Sequence, residues 1–197
     1  MEWAHRVVPG SLDQDRVLFA RTPSRLLLVL ADGAGGSGSG SEAADLICQR
    51  CQDILVQDRW PNWCAVLTSL DYELAALGAQ STAIVMEVAN GIIQGASVGD
   101  SEAWLQDQDS WMEWTAGQRR KPLLGSASAQ PIALDPRPAP GRLLLASDGL
   151  MKYAPRKQIL QTAAGPVLSE VLDQLVSLVR LPSGGLQADV SILVVEL

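Results

Sequence analysis

Two apolar runs open the regular patterning of this chain. Residues 15–20 and 25–31 read as strands joined through the turn Thr22-Pro23-Ser24. The second run, Leu26-Leu27-Leu28-Val29-Leu30, has no polar break, which marks a buried strand. A Gly/Ser segment at 33–41 follows and ends in Ser41-Glu42, the start of a helix over 42–57. In that helix Ala44, Ile47, Cys48, Cys51, Ile54 and Leu55 recur at the spacing of one buried face. A second helix starts near Pro61 and places Trp63, Val66, Leu67, Leu70, Leu74 and Leu77 together. Pro in the first turn costs little, because its missing N–H would be unpaired anyway.

The period then shortens. Residues 81–88, 92–98 and 102–106 read as strands, with Asn90-Gly91 a two-residue hairpin turn, and 111–114 adds another. The segment 115–141, rich in Pro, Gly, Ser and Arg, reads as irregular surface. Beyond it come a strand at 142–147, helices at 149–153, 156–163 and 166–180, and a closing strand at 190–196. Hairpins dominate and no regular β-α-β alternation occurs. This pattern predicts an α+β fold of antiparallel sheets with helices on their outer faces. No repeat or linker divides residues 1–197, so one domain is expected.

Composition narrows the classes. Hydrophobic residues make up 47% and charged residues 19%, a globular balance rather than a disordered one. A net charge of −7 argues against a nucleic-acid or anionic-membrane partner. It also means that a phosphorylated substrate would need a local positive centre such as a metal. No apolar stretch follows the polar residues 1–6, and three Cys suggest no disulfide framework, so a cytoplasmic location is expected. Cys48 and Cys51 form a C-x-x-C pair, but mid-helix, away from the helix N-terminus that activates a redox thiol. A zinc site drawing on Cys48, Cys51, Cys64 and His5 would match no common spacing, so these cysteines read as core.

The chemistry lies at strand ends. Asp32-Gly33-Ala34-Gly35-Gly36 follows the first unbroken run, and Asp148-Gly149 follows Leu143-Leu144-Leu145-Ala146-Ser147. Asp100 lies in Gly99-Asp100-Ser101, Asp13 and Asp15 precede the first strand, and Asp189 precedes the last. A single Asp-Gly is usually only a turn. Several carboxylates gathered at strand ends would repel one another unless a cation neutralised them, and all-oxygen ligands suit Mg²⁺ or Mn²⁺. Gly33 to Gly38 also matches G-x-G-x-x-G, but the nearest acid downstream, Asp53, lies inside a helix, and a second helix follows where a parallel strand is required. No Lys follows Gly38, which excludes a P-loop, and a Ser-His-Asp triad would rest on His5 alone.

The ordered set resembles the metal-dependent Ser/Thr protein phosphatases of type 2C, in a compact bacterial branch. Its blocks are Asp13-Gln14-Asp15, Asp32-Gly33-Ala34-Gly35-Gly36, Gly78-Ala79-Gln80-Ser81-Thr82-Ala83, Gly99-Asp100-Ser101, Ala146-Ser147-Asp148-Gly149 and Asp189-Val190-Ser191-Ile192-Leu193-Val194-Val195, in family order along nearly the whole chain. The resemblance implies a four-layer αββα sandwich with two Mn²⁺ or Mg²⁺ ions at one end. It implies that Asp32 bridges the two metals, that Gly33 offers its carbonyl, that Asp148 binds one metal, and that Asp15 orients the water held there. Asp100 would help to hold a third, weaker ion. The implied activity is hydrolysis of phosphoserine and phosphothreonine in proteins, the substrates of a Ser/Thr kinase, by a monomer.

Three positions depart from the family pattern. Setting Ser191 on the family's Thr puts Ala188 where the last block carries a metal-binding Asp. Either the loop shifts so that Asp189 reaches the metal, or the site lacks a ligand. The second case allows a degenerate domain that binds a kinase or phosphoprotein without turnover. Ala34 stands where many relatives carry a His that can donate a proton to the leaving group. The family's phosphate-binding Arg is expected near Gly10, where Arg6 or His5 would have to substitute. The run Arg119-Arg120-Lys121 reads as solvated surface, and Trp60, Trp63, Trp104, Trp111 and Trp114 read as core packing.

Overall fold

The unbroken run at 26–30 sits in a central strand with packed layers on both sides. The computed structural model describes residues 2–35, 39–57, 61–108, 110–139 and 141–197; Gly36, Ser37, Gly38 and Trp60 of the sequence reading lie outside them. The elements in chain order are β1 (Trp3–Val8), β2 (Asp15–Arg21), β3 (Arg25–Ala34), α1 (Ser39–Leu55), α2 (Trp63–Leu77), β4 (Gln80–Ser81), β5 (Ala83–Ala89), β6 (Ile92–Val98), β7 (Glu102–Asp107), β8 (Ser110–Glu113), β9 (Ile132–Pro138), β10 (Arg142–Ala146), α3 (Asp148–Met151), α4 (Arg156–Ala163), α5 (Leu168–Ser177) and β11 (Val190–Glu196). Sheet A runs β1-β11-β10-β7-β8 and sheet B runs β2-β3-β5-β6-β9, with β4 pairing the end of β3. The pairings are antiparallel.

Strand alternation assigns each residue to a layer. On β3, Leu26, Leu28 and Leu30 meet Leu143, Leu145, Leu193 and Val195 of sheet A in the central core. Leu27, Val29 and Ala31 point the other way, under α1 and α2, with Ile47, Cys51, Leu67 and Leu74. On sheet A, Leu144, Ala146, Ile192 and Val194 face α3, α4 and α5. The α+β fold of antiparallel sheets expected from the pattern, and the four-layer sandwich that the resemblance implies, are thus the observed architecture. Continuous hydrophobicity here reports burial on both faces rather than parallel pairing.

Two strands are not announced by the sequence pattern. β1 looks like a short polar terminus, and β9 falls inside the segment that reads as irregular. Both lie at sheet edges. Pro136 and Pro138 make β9 look broken, but an edge strand tolerates Pro because one side has no ladder to complete. α1 begins at Ser39, three residues before Glu42. α2 begins at Trp63, because Asn62 rather than Pro61 caps it, its side chain accepting from the Ala65 N–H at 3.0 Å. Cys48 and Cys51 sit on the buried face of α1, and burial pushes the Cys48 thiol up to about 12. Among the described residues no helix is long and apolar enough to cross a membrane.

One ion pair fixes the helix layer to sheet B. Arg25 and Glu87 pair beneath the end of α1 and the start of α2, with Glu87 fully buried. Glu87 also accepts from the Trp63 indole at 3.1 Å, and Arg25 donates to the carbonyl of Gln57 at 2.6 Å. Replacing Glu87 by Gln keeps the shape and removes the charge opposite Arg25. The variant is expected to lose about 2 kcal/mol in chemical denaturation. An unchanged midpoint would show that the charge on Glu87 contributes nothing.

Candidate metal centre

The register of β2 against β3 sets Asp15 directly opposite Asp32. Directly opposed residues share a face. Asp32 continues the inward series Leu26, Leu28, Leu30, so both carboxylates point into the gap between the sheets at its open end. Across that gap, Ser147 and Ser191 continue the inward series of β10 and β11. Ser147 Oγ accepts from the Ser191 N–H at 2.9 Å. Asp148 follows at the first position of α3.

The peptide of Asp32 is held from the β4 side. Its carbonyl accepts from the Thr82 N–H at 2.8 Å and the Ser81 hydroxyl at 2.9 Å, and its N–H donates to Thr82 Oγ1 at 3.2 Å. Gly33 approaches α1 so closely that a Cβ would collide with the Gly40 carbonyl. Only Gly lets the two backbones come this close. Asp15, Asp32, Gly33, Asp148, Ala188 and Asp189 line one cavity of about 180 Å³.

The charges in this cavity oppose one another. Burial first, and then the charges of Asp15, Asp148 and Asp100, push the Asp32 carboxyl up to about 9. Burial raises Asp15 to about 6, with Asp189 adding to the rise and the hydroxyls of Ser191 and Ser147 opposing it. Asp148 is raised by burial and by Asp100, against the pull of Lys152 and Arg120. Asp15 Oδ2 is buried without a hydrogen-bond partner. Among the described residues no ion pair involves Asp15 or Asp32. Repelling, unpaired carboxylates with an orphaned oxygen fit a hard divalent cation, which would remove the repulsion. Among the described residues no group of three His, Cys, Asp or Glu side chains converges so as to hold a metal ion. With so few converging carboxylates, a Mg²⁺ or Mn²⁺ ion here would keep several waters.

The other candidates fall elsewhere. Asp100 lines a neighbouring cavity of about 240 Å³ that also includes Asp148, Lys152 and Arg156, and it pairs with Arg120 at 2.8 Å. Arg6 is drawn away from the cavity. It sits opposite Ile192, on the helix-facing side of sheet A, and pairs with Asp173 of α5. Strand parity excludes it from the gap that holds Asp15 and Asp32. His5 stacks on Trp3 with centroids 5.5 Å apart. Asp189 turns its carboxylate to backbone N–H groups, taking Gly10 N–H at 2.6 Å and Gln14 N–H at 2.6 Å. The sequence reading missed Ser147 and Ser191 as neighbours of Asp15, although strand alternation predicts them. It also missed Lys152, which lies one helical turn after Asp148.

Solved structures share this architecture. A point mutant of a bacterial serine phosphatase superposes with a TM-score of 0.86 at 19% identity, covering 100% of this chain and 98% of the other. The Mycobacterium tuberculosis serine/threonine phosphatase PstP/Ppp gives 0.82 at 22% identity over 100% and 98%. The catalytic domain of PstP in complex with two manganese ions gives 0.79 at 23% identity over 98% and 96%. The chain has the fold of the bacterial serine/threonine phosphatases. No protein-family model matches it, and neither does any curated protein sequence. Within this phosphatase fold the Asp15–Asp32 pair lies at one end of the two packed sheets, and Asp148 opens the helix that follows a strand of the opposite sheet.

Proposed function

We propose that this chain is a metal-dependent phosphoprotein phosphatase that hydrolyses phosphoserine and phosphothreonine, with Mn²⁺ or Mg²⁺ held by Asp32, Asp148 and the Gly33 carbonyl. The observation that carries this reading is the opposed, unneutralised pair of buried Asp15 and half-buried Asp32 in a cavity shared with Asp148. When bound, two such ions supply positive charge for the phosphate and lower the pKa of water beside it.

The chain's own groups do the rest. Asp15, raised to about 6 and with Oδ2 free, accepts a hydrogen bond from the attacking water and orients it. Ser147 and Ser191 favour the charged form of Asp15. The Ser81 and Thr82 hydrogen bonds fix the Asp32 peptide, and with it the point from which its carboxylate projects. Ala34 has no acidic group to donate a proton, so the departing Ser or Thr oxygen takes one from water. With Arg6 engaged by Asp173, the phosphate depends on the cations for its charge. The expected substrates are phosphoproteins made by a Ser/Thr kinase.

The test is Mn²⁺-dependent hydrolysis of an aryl phosphate and a phosphothreonine peptide, with Asp32→Asn as control. Activity lost in the variant supports the enzyme. A folded, Mn²⁺-saturated wild type without turnover would instead support the phosphoprotein-binding reading that Ala188 raised. Ala188 lines the same cavity as Asp32 and Asp148, so Ala188→Asp adds a carboxylate there. Titration calorimetry is expected to show Mn²⁺ bound about tenfold more tightly by Ala188→Asp. Equal or weaker binding would mean that position 188 does not face the cation.

A further inference from the structure

We infer that Asp189 is a positioning residue, which bolts the segment 10–14 to the start of β11 and thereby fixes Asp15 opposite Asp32. The inference rests on the reading of Asp15 and Asp32 as one corner of the site, and it gives Asp189 a role other than metal ligand. Both of its oxygens are engaged. Oδ1 accepts from Gly10 N–H at 2.6 Å and from Asp13 N–H at 3.3 Å, and Oδ2 accepts from Gln14 N–H at 2.6 Å.

The backbone is shaped for this grip. A Cβ at Gly10 would lie 2.6 Å from the Ala188 carbonyl carbon, so only Gly lets the two segments come this close. Asp13 adopts φ of 52°, a left-handed conformation that a non-Gly residue keeps only when held. Gln14 is then clamped from both sides. Its N–H goes to Asp189, its carbonyl accepts from the Gly33 N–H at 3.3 Å, and its side-chain amide donates to the Gly35 carbonyl at 2.6 Å. Asp15 is the next residue. Its place across from Asp32 therefore depends on a carboxylate from the opposite sheet. The Asp189 backbone also packs on Gly149, directly after Asp148, where a Cβ would collide with the Asp189 carbonyl. One residue thus ties together the segments that carry Asp15 and Asp148.

Amide hydrogen exchange tests this without relying on turnover. In the metal-free protein, Asp189→Asn presents an NH₂ where an oxygen accepted, and exchange at Gly10 or Gln14 is expected to quicken by about tenfold or more. In the wild type, saturating Mn²⁺ is expected to leave the Gly10, Asp13 and Gln14 amides protected. For an aryl phosphate, Asp189→Asn is expected to lower kcat by about tenfold with KM little changed. Deprotection of these amides when Mn²⁺ binds the wild type would show the carboxylate leaving for the metal and overturn the tether. Unchanged exchange in metal-free Asp189→Asn would overturn it too. The wild-type arm needs no variant to fold. A wild type without phosphatase activity would sink the proposed function while the exchange result still decides the tether.

Discussion

Asp32→Asn is expected to unfold at a higher temperature than the metal-free wild type while losing its Mn²⁺-dependent hydrolysis. Asp32 is the most strongly repelled carboxyl in the cavity, held up to about 9 by burial and by the charges of Asp15, Asp148 and Asp100. An amide has the same shape and no charge to repel. Its gain is about 1–3 kcal/mol at neutral pH, or about 2–12 °C in Tm for a chain of this length. Activity should fall by about a thousandfold or more, because a residue proposed to hold the cations is gone. The rise in Tm expected when Mn²⁺ binds the wild type should vanish as well.

The pH dependence has a definite sign. In the unfolded chain this Asp ionises near 3.8, and in the metal-free fold only near about 9. Between those values the folded state binds the extra proton, so wild-type stability falls as pH rises through the window. Below the window the penalty is absent. Melting curves of the metal-free proteins at about pH 5 and about pH 8 should show the advantage of Asp32→Asn widening with pH. A constant or shrinking gap would mean that Asp32 is not the repelled group.

Much of this site is legible in the sequence, and the reason is strand parity. An apolar run buried on both faces, ending in Asp, places that Asp at the mouth of a core whichever way the neighbouring strands run. Asp32 follows from that alone, whereas Asp148 comes one residue past the inward-facing Ser147, at the first position of α3. Arg6 cannot be placed in the same way, because β1 carries no pattern that marks it as a strand, and without a strand there are no faces to assign. β9 hides behind Pro136 and Pro138, which are permitted only because that edge is unpaired. The choice between Ala188 and Asp189 turns on which N–H groups Asp189 meets. Those belong to Gly10, Asp13 and Gln14, more than 170 residues away in sequence. No local pattern reveals a partner that distant.

Asp71→Ala is expected to be the most destabilising truncation among the buried carboxylates. Asp71 sits inside α2 and is only 2% exposed. Its Oδ1 accepts from the N–H groups of Gly125, Ser126 and Ala127 at 2.7, 2.9 and 3.1 Å, and its Oδ2 from Ala129 N–H at 2.9 Å. Successive N–H groups form such a concave nest only with left-handed residues in the turn, here Gly125 at φ 89° and Ala127 at φ 55°. Removing the carboxylate orphans four donors and leaves Ala127 strained without compensation. The expected loss is about 4 kcal/mol, or about 8–16 °C in Tm. Asp71→Asn keeps the threefold acceptor and loses one oxygen, so its loss should be about 1 kcal/mol. The effect reaches the metal centre. Leu124, adjoining the nest, exchanges backbone hydrogen bonds with Ser81, whose hydroxyl holds the Asp32 carbonyl at 2.9 Å. Asp71→Ala should therefore lower kcat even well below its own Tm, whereas Asp71→Asn should stay near wild type. Equal melting temperatures for the two variants would show that the carboxylate does not organise the loop. A destabilised Asp71→Ala with full kcat would break the link from α2 through Leu124 and Ser81 to Asp32.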